Sequence, residues 1–284
     1  NFHKEKPWRP PSLVLEHDPP QHTHARSILM RALATAVVRR LRADFQRVAA
    51  AEVERLLEMG SFDAIAELAE GYPLKVFGDA VGITAKDRRT LLDYGNISFN
   101  AMGPRNALCL ESMQNERAVT GWIMAQCARD ALDPKGLGAI MYAAADEGEI
   151  TQDEAGMLVR SFLSAGVDTT VRAVGGALHA LALNPGQWKQ LRANPGLARA
   201  TAEEAIRYVS PFQTVFRTAS VDVEQDGFTI AAEEKIFLSI GAANHDPRQW
   251  SEPVEVRIER KNAGHVGFGA GIHGCAGQML ARLE

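Results

Sequence analysis

Three things are scarce in this sequence, and each scarcity removes a class of function. Cysteine occurs only at Cys109, Cys127 and Cys275. The number is odd and no CxxC or Cys/His cluster accompanies it, which excludes a disulfide framework and a structural zinc site and points to a reducing cytoplasm. Long apolar runs are missing too: Ala173 to Leu183 is interrupted by glycine and histidine and falls short of the roughly 20 residues that span a bilayer. No excess of one charge exists either. A formal charge of -4 and a pI near 6.1, with Lys and Arg scattered, give no electrostatic footprint for nucleic acid. Internal repeats, low-complexity tracts, a signal-peptide pattern and nicotinamide or flavin motifs are likewise missing.

What is present suits a soluble globular protein: 284 residues, 46% of them hydrophobic, enough to bury a core. The chain begins at Asn1 rather than Met and stops at Glu284 within a helical pattern, so a single incomplete domain over residues 1–284 is expected. Residues 1–20 carry Pro7, Pro10, Pro11, Pro19 and Pro20 and read as an extended entry. From Gln21 to about Met59 apolar residues recur at helical spacing, enough for two helices. Two more fit Ser61 to Val81 and Lys86 to Phe99, separated by Gly82. Thr151 and Glu154 form a capping box that opens a long central helix. Nothing stops it before Asn184-Pro185, so it should run for about 34 residues, roughly 50 Å at 1.5 Å per residue. Its middle, Ala165-Gly166-Val167-Asp168-Thr169-Thr170, has poor helix propensity and predicts a functional distortion. A further helix fits Gly196 to Val209, stopped by Pro211. Short strands follow at Val215 to Glu224, Phe228 to Ile230 and Lys235 to Ile240, with a turn at Asp226-Gly227. The fold class is therefore mainly α, with a long central helix and a small β-sheet region late in the chain.

The strongest chemical signal is Phe268-Gly269-Ala270-Gly271-Ile272-His273-Gly274-Cys275-Ala276-Gly277. Four glycines around one cysteine describe a backbone that passes close to something flat. A helix starting just after Cys275 would aim free amides at the sulfur and favour the thiolate. This segment resembles the haem loop of the cytochrome P-450 family, F-G-x-G-x-H-x-C-x-G, at every fixed position. The resemblance implies that haem b is the cofactor, that Cys275 is the iron's axial ligand, and that Phe268 and Gly269 lie against the haem. A cysteine thiolate pushes electron density onto the iron and favours O–O cleavage.

Two further stretches resemble family motifs. Ala165 to Thr170 resembles the oxygen-activating stretch, which implies that Ala165 and Gly166 border the haem, with Gly166 leaving room for dioxygen, and that Thr169 supports bound oxygen while Asp168 takes part in proton delivery. Glu204-Ala205-Ile206-Arg207 resembles E-x-x-R. Alone, an i,i+3 pair of this kind is usually a surface ion pair, but in the family it is a buried lock with a third partner, for which Arg260 is the candidate. His245 and Arg257 depart from the usual pattern around it. By the same resemblance His22, Arg26, Arg217 and His273 hold the haem propionates.

Lys6-Pro7-Trp8-Arg9-Pro10-Pro11, Arg160 to Gly166 and Gly264 to Gly269 are similar to the bacterial subgroup that oxidises para-substituted benzoic acids. That implies a small, flat, anionic substrate. Arg160, Ser161 and Ser164 are candidates for its carboxylate, with Arg160 equally readable as a plain surface charge; Phe99, Met102, Phe212 and Val215 are candidates for apolar walls. Further substrate contacts are expected from residues ahead of Asn1. The implied reaction is monooxygenation, as hydroxylation or oxidative O-demethylation, with electrons from NAD(P)H delivered by a separate ferredoxin and ferredoxin reductase. A peroxide-driven haem-thiolate peroxygenase and a non-catalytic haem binder or inactive fragment are the alternatives.

Overall fold

A computed structural model describes residues 7–261 and 264–284. The chain divides into two compact units, Asn1–Val171 with Ala276–Glu284, and Arg172–Cys275.

The first unit is helical. The region read as two helices between Gln21 and Met59 forms α1 (Gln21–Ala32) and α2 (Thr35–Met59). On α2 the core-facing side chains Val38, Phe45, Val48 and Leu56 recur at helical spacing. The next stretch is a seven-residue π-helical segment, Ala64–Glu70, running into α3 (Gly71–Val81). It is opened by Asp63, whose carboxylate accepts the amides of Ile65 and Ala66 at 2.8 and 3.0 Å. Next come α4 (Thr90–Asn100), α5 (Ala107–Ser112), α6 (Glu116–Cys127) and α7 (Leu137–Asp146).

The central helix is two helices. α8 (Gln152–Ala165) opens on the capping box: the Thr151 hydroxyl accepts the Glu154 amide at 3.1 Å, and the Glu154 carboxylate accepts the Thr151 amide at 2.8 Å. The helix stops at Gly166 and resumes as α9 (Asp168–Leu183). Across the break the Thr169 hydroxyl donates to the Ala165 carbonyl at 2.8 Å and the Thr170 hydroxyl to that of Gly166 at 3.1 Å. The low helix propensity of this stretch therefore appears as the local distortion at which the long central helix bends, with α8 and α9 as its two parts.

α7 packs on α8, α6 on α4 and α8, and α1 on α7. Ile28, Leu91, Tyr94, Ile123, Met141, Leu158 and Leu163 are wholly inside this core. Each such leucine or isoleucine contributes roughly 1.5–3 kcal/mol by leaving water.

The second unit begins within α9 and continues through α10 (Pro185–Ala193) and α11 (Ala198–Val209). The stretch read as one strand from Val215 to Glu224 is two: β1 (Thr214–Thr218) and β2 (Val223–Gln225). β2 pairs with β3 (Phe228–Ile230) through the Asp226-Gly227 turn, where both residues have positive φ. β1 instead pairs antiparallel with β4 (Lys235–Ser239), in register Thr214↔Ser239 and Thr218↔Lys235. The chain between β1 and β2 must leave one partner for the other, and that exchange divides the strand. α12 (Ile240–Asn244) follows, capped by the Ser239 hydroxyl. Among the described residues no helix is long and apolar enough to cross a membrane.

Candidate active site

In the second unit the cysteine loop is closed by its own backbone. The Cys275 amide donates to the Phe268 carbonyl at 2.7 Å, Gly269 to Val266 at 2.8 Å, and Gly274 to Gly271 at 3.0 Å. Gly269 and Gly271 have φ of +70° and +69°, a region open to glycine and costly for residues with a Cβ. A Cβ at Gly271 would meet no protein atom within 4 Å, so the backbone there presents an open face. Gly269, Ala270, Gly271 and Ile272 are exposed along it, while Cys275 and His273 are half-buried. The helix expected straight after Cys275 begins at Gln278 and is one turn long, α13 (Gln278–Ala281).

These features fit a haem. Among the described residues no three His, Cys, Asp or Glu side chains converge as a ligand set. An exposed glycine-rich backbone beside a half-buried thiol suits a flat macrocycle. Cys109 and Cys127 are buried, and burial pushes the Cys127 thiol up to about 12, which makes it a poor metal ligand.

The loop is tied to α11. Glu204 and Arg207 have side chains with no exposed surface and form a two-pronged pair: Nε to Oε2 at 2.8 Å and Nη2 to Oε1 at 2.9 Å. Arg207 also donates to the carbonyls of Asn244, Pro253 and Glu255 at 2.8, 2.9 and 3.2 Å, and its guanidinium lies 5.6 Å from the Trp250 ring. Arg260 Nε donates to Glu204 Oε1 at 3.1 Å, and the Arg257 amide donates to the same oxygen at 2.9 Å. Arg257 thus enters through its backbone, while His245 packs on Tyr208 at 5.6 Å. Asn244, absent from the candidate residues, is wholly buried: its amide nitrogen donates to the Ser210 hydroxyl at 2.9 Å and its oxygen accepts the Val266 amide at 2.8 Å. Its partners lie 34 and 22 residues away, so no local pattern marks it.

The remaining candidates of this unit are less enclosed. Arg217, on β1, is exposed and donates to the Phe216 carbonyl at 2.8 Å. Phe212 and Val215 are half-buried.

In the first unit Arg160 is 2% exposed, which rules out a plain surface charge. Its Nη2 donates to the carbonyls of Pro10 and Pro11 at 2.8 and 3.3 Å, and its buried Nη1 has no hydrogen-bond partner among the described residues. The same holds for the Tyr94 hydroxyl and the Ser98 hydroxyl, one turn apart on α4. Burial pushes the Arg160 pKa down and the Tyr94 pKa up, and the two groups lie close enough to affect each other. Ser161 Oγ lies 3.5 Å from Ser12 Oγ and donates to the Met157 carbonyl; Ser164 donates to the Ser161 carbonyl. Arg9 pairs with Glu16 at 2.8 Å and stacks over Trp8 at 5.4 Å. The proline-rich entry therefore brings Arg9 and Ser12 to Arg160 and Ser161; Arg9 belongs to the run similar to the benzoate-oxidising subgroup, and Ser12 lies just beyond it. Lys6 of the quoted run lies outside the described residues.

Phe99 and Met102, at the end of α4, are half-buried, as are Asp168, Thr169 and Arg26; His22 is buried on α1 one turn before Arg26. Ala165 is exposed at the α8–α9 break. Gly166 is not open on every side: a Cβ there would come 2.0 Å from the Phe77 ring, so α3 requires the glycine by close packing. Asp168 packs likewise on Gly95 of α4.

Comparison with known proteins agrees with this geometry. Residues 126–284 match the cytochrome P450 family. The chain is 50% identical to cytochrome p450 CYP199A2 of Rhodopseudomonas palustris over all of its own length and 69% of that protein. It is 29% identical to 6-deoxyerythronolide B hydroxylase of Saccharopolyspora erythraea over 94% of its length and 66% of that enzyme. It therefore spans about two thirds of the length of these relatives. Among solved structures, the mycinamicin VIII C21 methyl hydroxylase MycCI of Micromonospora griseorubida superposes with a TM-score of 0.81 at 26% identity, over 94% of this chain and 68% of that one. With the glycine-rich loop around Cys275, the buried Glu204–Arg207 pair and the interrupted central helix all in one sequence order, the chain belongs to the cytochrome P450 family of haem-thiolate monooxygenases.

Proposed function

We propose that the whole protein inserts one atom of dioxygen into a C–H bond of a small aromatic carboxylate, by hydroxylation or oxidative O-demethylation, the second oxygen atom leaving as water. Haem b, when bound, would supply oxygen activation, and Cys275 would be its thiolate ligand. His22, Arg26, Arg217 and His273 would neutralise the propionates. Phe268, Gly269 and Ala165 would lie against the macrocycle, and so would Gly166 on the side away from Phe77. Thr169 donates its own hydroxyl proton to the Ala165 carbonyl, which leaves its oxygen lone pairs to accept from a water. Asp168 would pass protons to that water, the general acid step that oxygen cleavage requires.

The observation that carries the substrate class is the buried Nη1 of Arg160, which has no hydrogen-bond partner among the described residues, on the residue next to Ser161, whose hydroxyl lies 3.5 Å from that of Ser12. A buried guanidinium nitrogen without a partner is costly, and a substrate carboxylate would complete it by a charge-assisted hydrogen bond. Tyr94, Ser98 and Arg9 would supply the polar surroundings, Ser164 a further hydroxyl, and Phe99, Met102, Phe212 and Val215 apolar contact with the ring. The two electrons would come from NAD(P)H through a ferredoxin reductase and a ferredoxin in the cytoplasm.

Titration of the haem-loaded full-length protein with 4-methoxybenzoate tests this reading. A low-spin to high-spin shift that the methyl ester does not give, weakened about tenfold or more by Arg160→Met, is the expected result. Equal responses to acid and ester would refute the carboxylate site, and turnover with hydrogen peroxide alone at the full rate would replace dioxygen by peroxide as oxidant.

A further inference from the structure

Beside the buried lock, α11 makes a second polar contact with the cysteine loop that the lock does not account for. Glu203, the neighbour of Glu204, has its Oε2 2.9 Å from Nε2 of His265. The other ring nitrogen, Nδ1, accepts the backbone amide of Gly267 at 3.1 Å. An amide donor on Nδ1 fixes the tautomer: the ring proton sits on Nε2 and points at the carboxylate. The imidazole side chain is 4% exposed. One residue beyond Gly267, the Phe268 carbonyl accepts the Cys275 amide, and the Phe268 ring packs on His265 at 5.9 Å. Residue 267 is itself pressed onto α11, since a Cβ there would come 2.6 Å from Ile206 Cγ2.

We propose that Glu203 and His265 form a positioning pair for the haem thiolate: His265 holds the Gly267 amide, and with it the Phe268 carbonyl that fixes the Cys275 backbone, while the Glu203 carboxylate orients the ring. The arrangement parallels a metal-bound histidine held by a carboxylate, with a backbone amide in the place of the metal. Arg207 holds the Asn244 carbonyl and, with Glu204, the segment from Pro253 to Arg260, and Asn244 holds Val266; the Glu203–His265 pair holds the following residue. Two consecutive amides, Val266 and Gly267, are thus tied through separate side chains, which fixes the loop's direction as well as its position.

The proposal rests on Cys275 as the iron ligand, and the variants separate the two ideas. His265→Asn keeps an acceptor near the Nδ1 position and loses the reach to Glu203. His265→Gln keeps a donor near the Nε2 position and loses the acceptor for Gly267. Glu203→Gln keeps the hydrogen bond and removes the charge. Each is made in the full-length haem-loaded protein and read three ways: hydrogen exchange of the Gly267 amide, the carbon monoxide spectrum of the reduced protein, and the haem reduction potential.

In His265→Gln the Gly267 amide should exchange about fivefold faster or more, the factor given by losing one neutral hydrogen bond, and part of the carbon monoxide complex should change from the thiolate to the thiol type. His265→Asn should keep slow exchange and most of the thiolate band. Glu203→Gln should shift the potential to more positive values, because a negative charge that favours the oxidised iron has gone. Equal loss of thermal stability in both histidine variants, with the thiolate band and the potential unchanged, would overturn the proposal and leave the pair a packing contact. A wild-type protein without the thiolate band would overturn the reading of Cys275 itself, and the positioning role with it.

Discussion

The two compact units bury different chemistry. In the first, one large continuous apolar cluster runs from Ala25 to Val167 and takes in Leu280, and the buried polar residues Ser12, His22, Ser98, Arg160 and Thr170 are few beside it. In the second, the buried apolar set is short, with Ala180, Leu181, Ala205, Ile206, Ala219, Trp250, Val256 and Ile258, and beside it Thr201, Glu204, Arg207, Ser210 and Asn244 are buried as well. Apolar burial is non-directional and tolerates adjustment. A buried ion pair whose donors are spent on named carbonyls fixes geometry at the expense of a desolvation penalty. The unit that carries the cysteine loop is thus the one richer in directional contacts, which is where Cys275, as the proposed iron ligand, would have to be held in one orientation.

The sharpest way to break this contrast is to remove one member of the lock. Glu204→Ala leaves the Arg207 guanidinium buried without its counter-ion and should cost about 3–5 kcal/mol, read from urea unfolding by circular dichroism. Replacing a buried pair by apolar residues is often harmless, but here Glu204→Leu combined with Arg207→Met should stay destabilised. The Asn244, Pro253 and Glu255 carbonyls would lose their Arg207 donor. A double variant as stable as wild type would mean that the pair is only a specificity device. In the first unit, Leu158→Ala, at a wholly buried position of α8, should cost about 2–5 kcal/mol through a cavity. A double variant of Leu158 with Ile123, which shares its core, should fall short of additivity, whereas Leu158→Ala and Glu204→Ala should each act through its own mechanism.

The same contrast explains what could be read in the sequence. Helical periodicity exposes α1 and α2 because each buries a stripe, while the late β region was legible from its β-branched and aromatic content and the Asp226-Gly227 turn. The capping box at Thr151 is local and was legible in full. The E-x-x-R and cysteine-loop motifs were legible as a resemblance, while the partners of Glu204 beyond Arg207 come from residues 53 and 56 positions away. Asn244 and His265 were given no role for the same reason: a lone polar side chain gives no periodic signal, and Asn244 meets Val266 and His265 meets Glu203 only in the folded chain. Arg160 could be read either way, since only the return of the proline-rich entry onto α8 buries it. The distortion at Gly166 was visible as poor propensity, while the form it takes between α8 and α9 is decided by tertiary packing.

That packing is open to a smaller test. Gly166→Ala would drive a methyl group into the Phe77 ring, 2.0 Å from its Cζ atom, and should cost about 1–3 kcal/mol. If the clash is the cause, Phe77→Leu in the same chain should restore part of the loss. A Gly166→Ala variant as stable as wild type would show that α3 yields easily and would assign the glycine to the haem side alone.

The smallest expected effect lies at the start of α8, where the contacts are exposed and directional at once. Thr151→Ala removes one half of the capping box and should cost about 1 kcal/mol. The Thr151 amide and hydroxyl hold the Glu154 carboxyl below the usual carboxylate range. Because the folded pKa is depressed, Glu154 contributes stability above its unfolded pKa of about 4.3, and that contribution fades as pH falls through the folded value. Glu154→Gln should therefore flatten this part of the stability profile below about pH 4.3 while leaving the profile near neutrality parallel to wild type. An unaltered acid limb would mean that the depressed carboxyl carries no linkage, and that the helix start is held by the Thr151 hydroxyl alone.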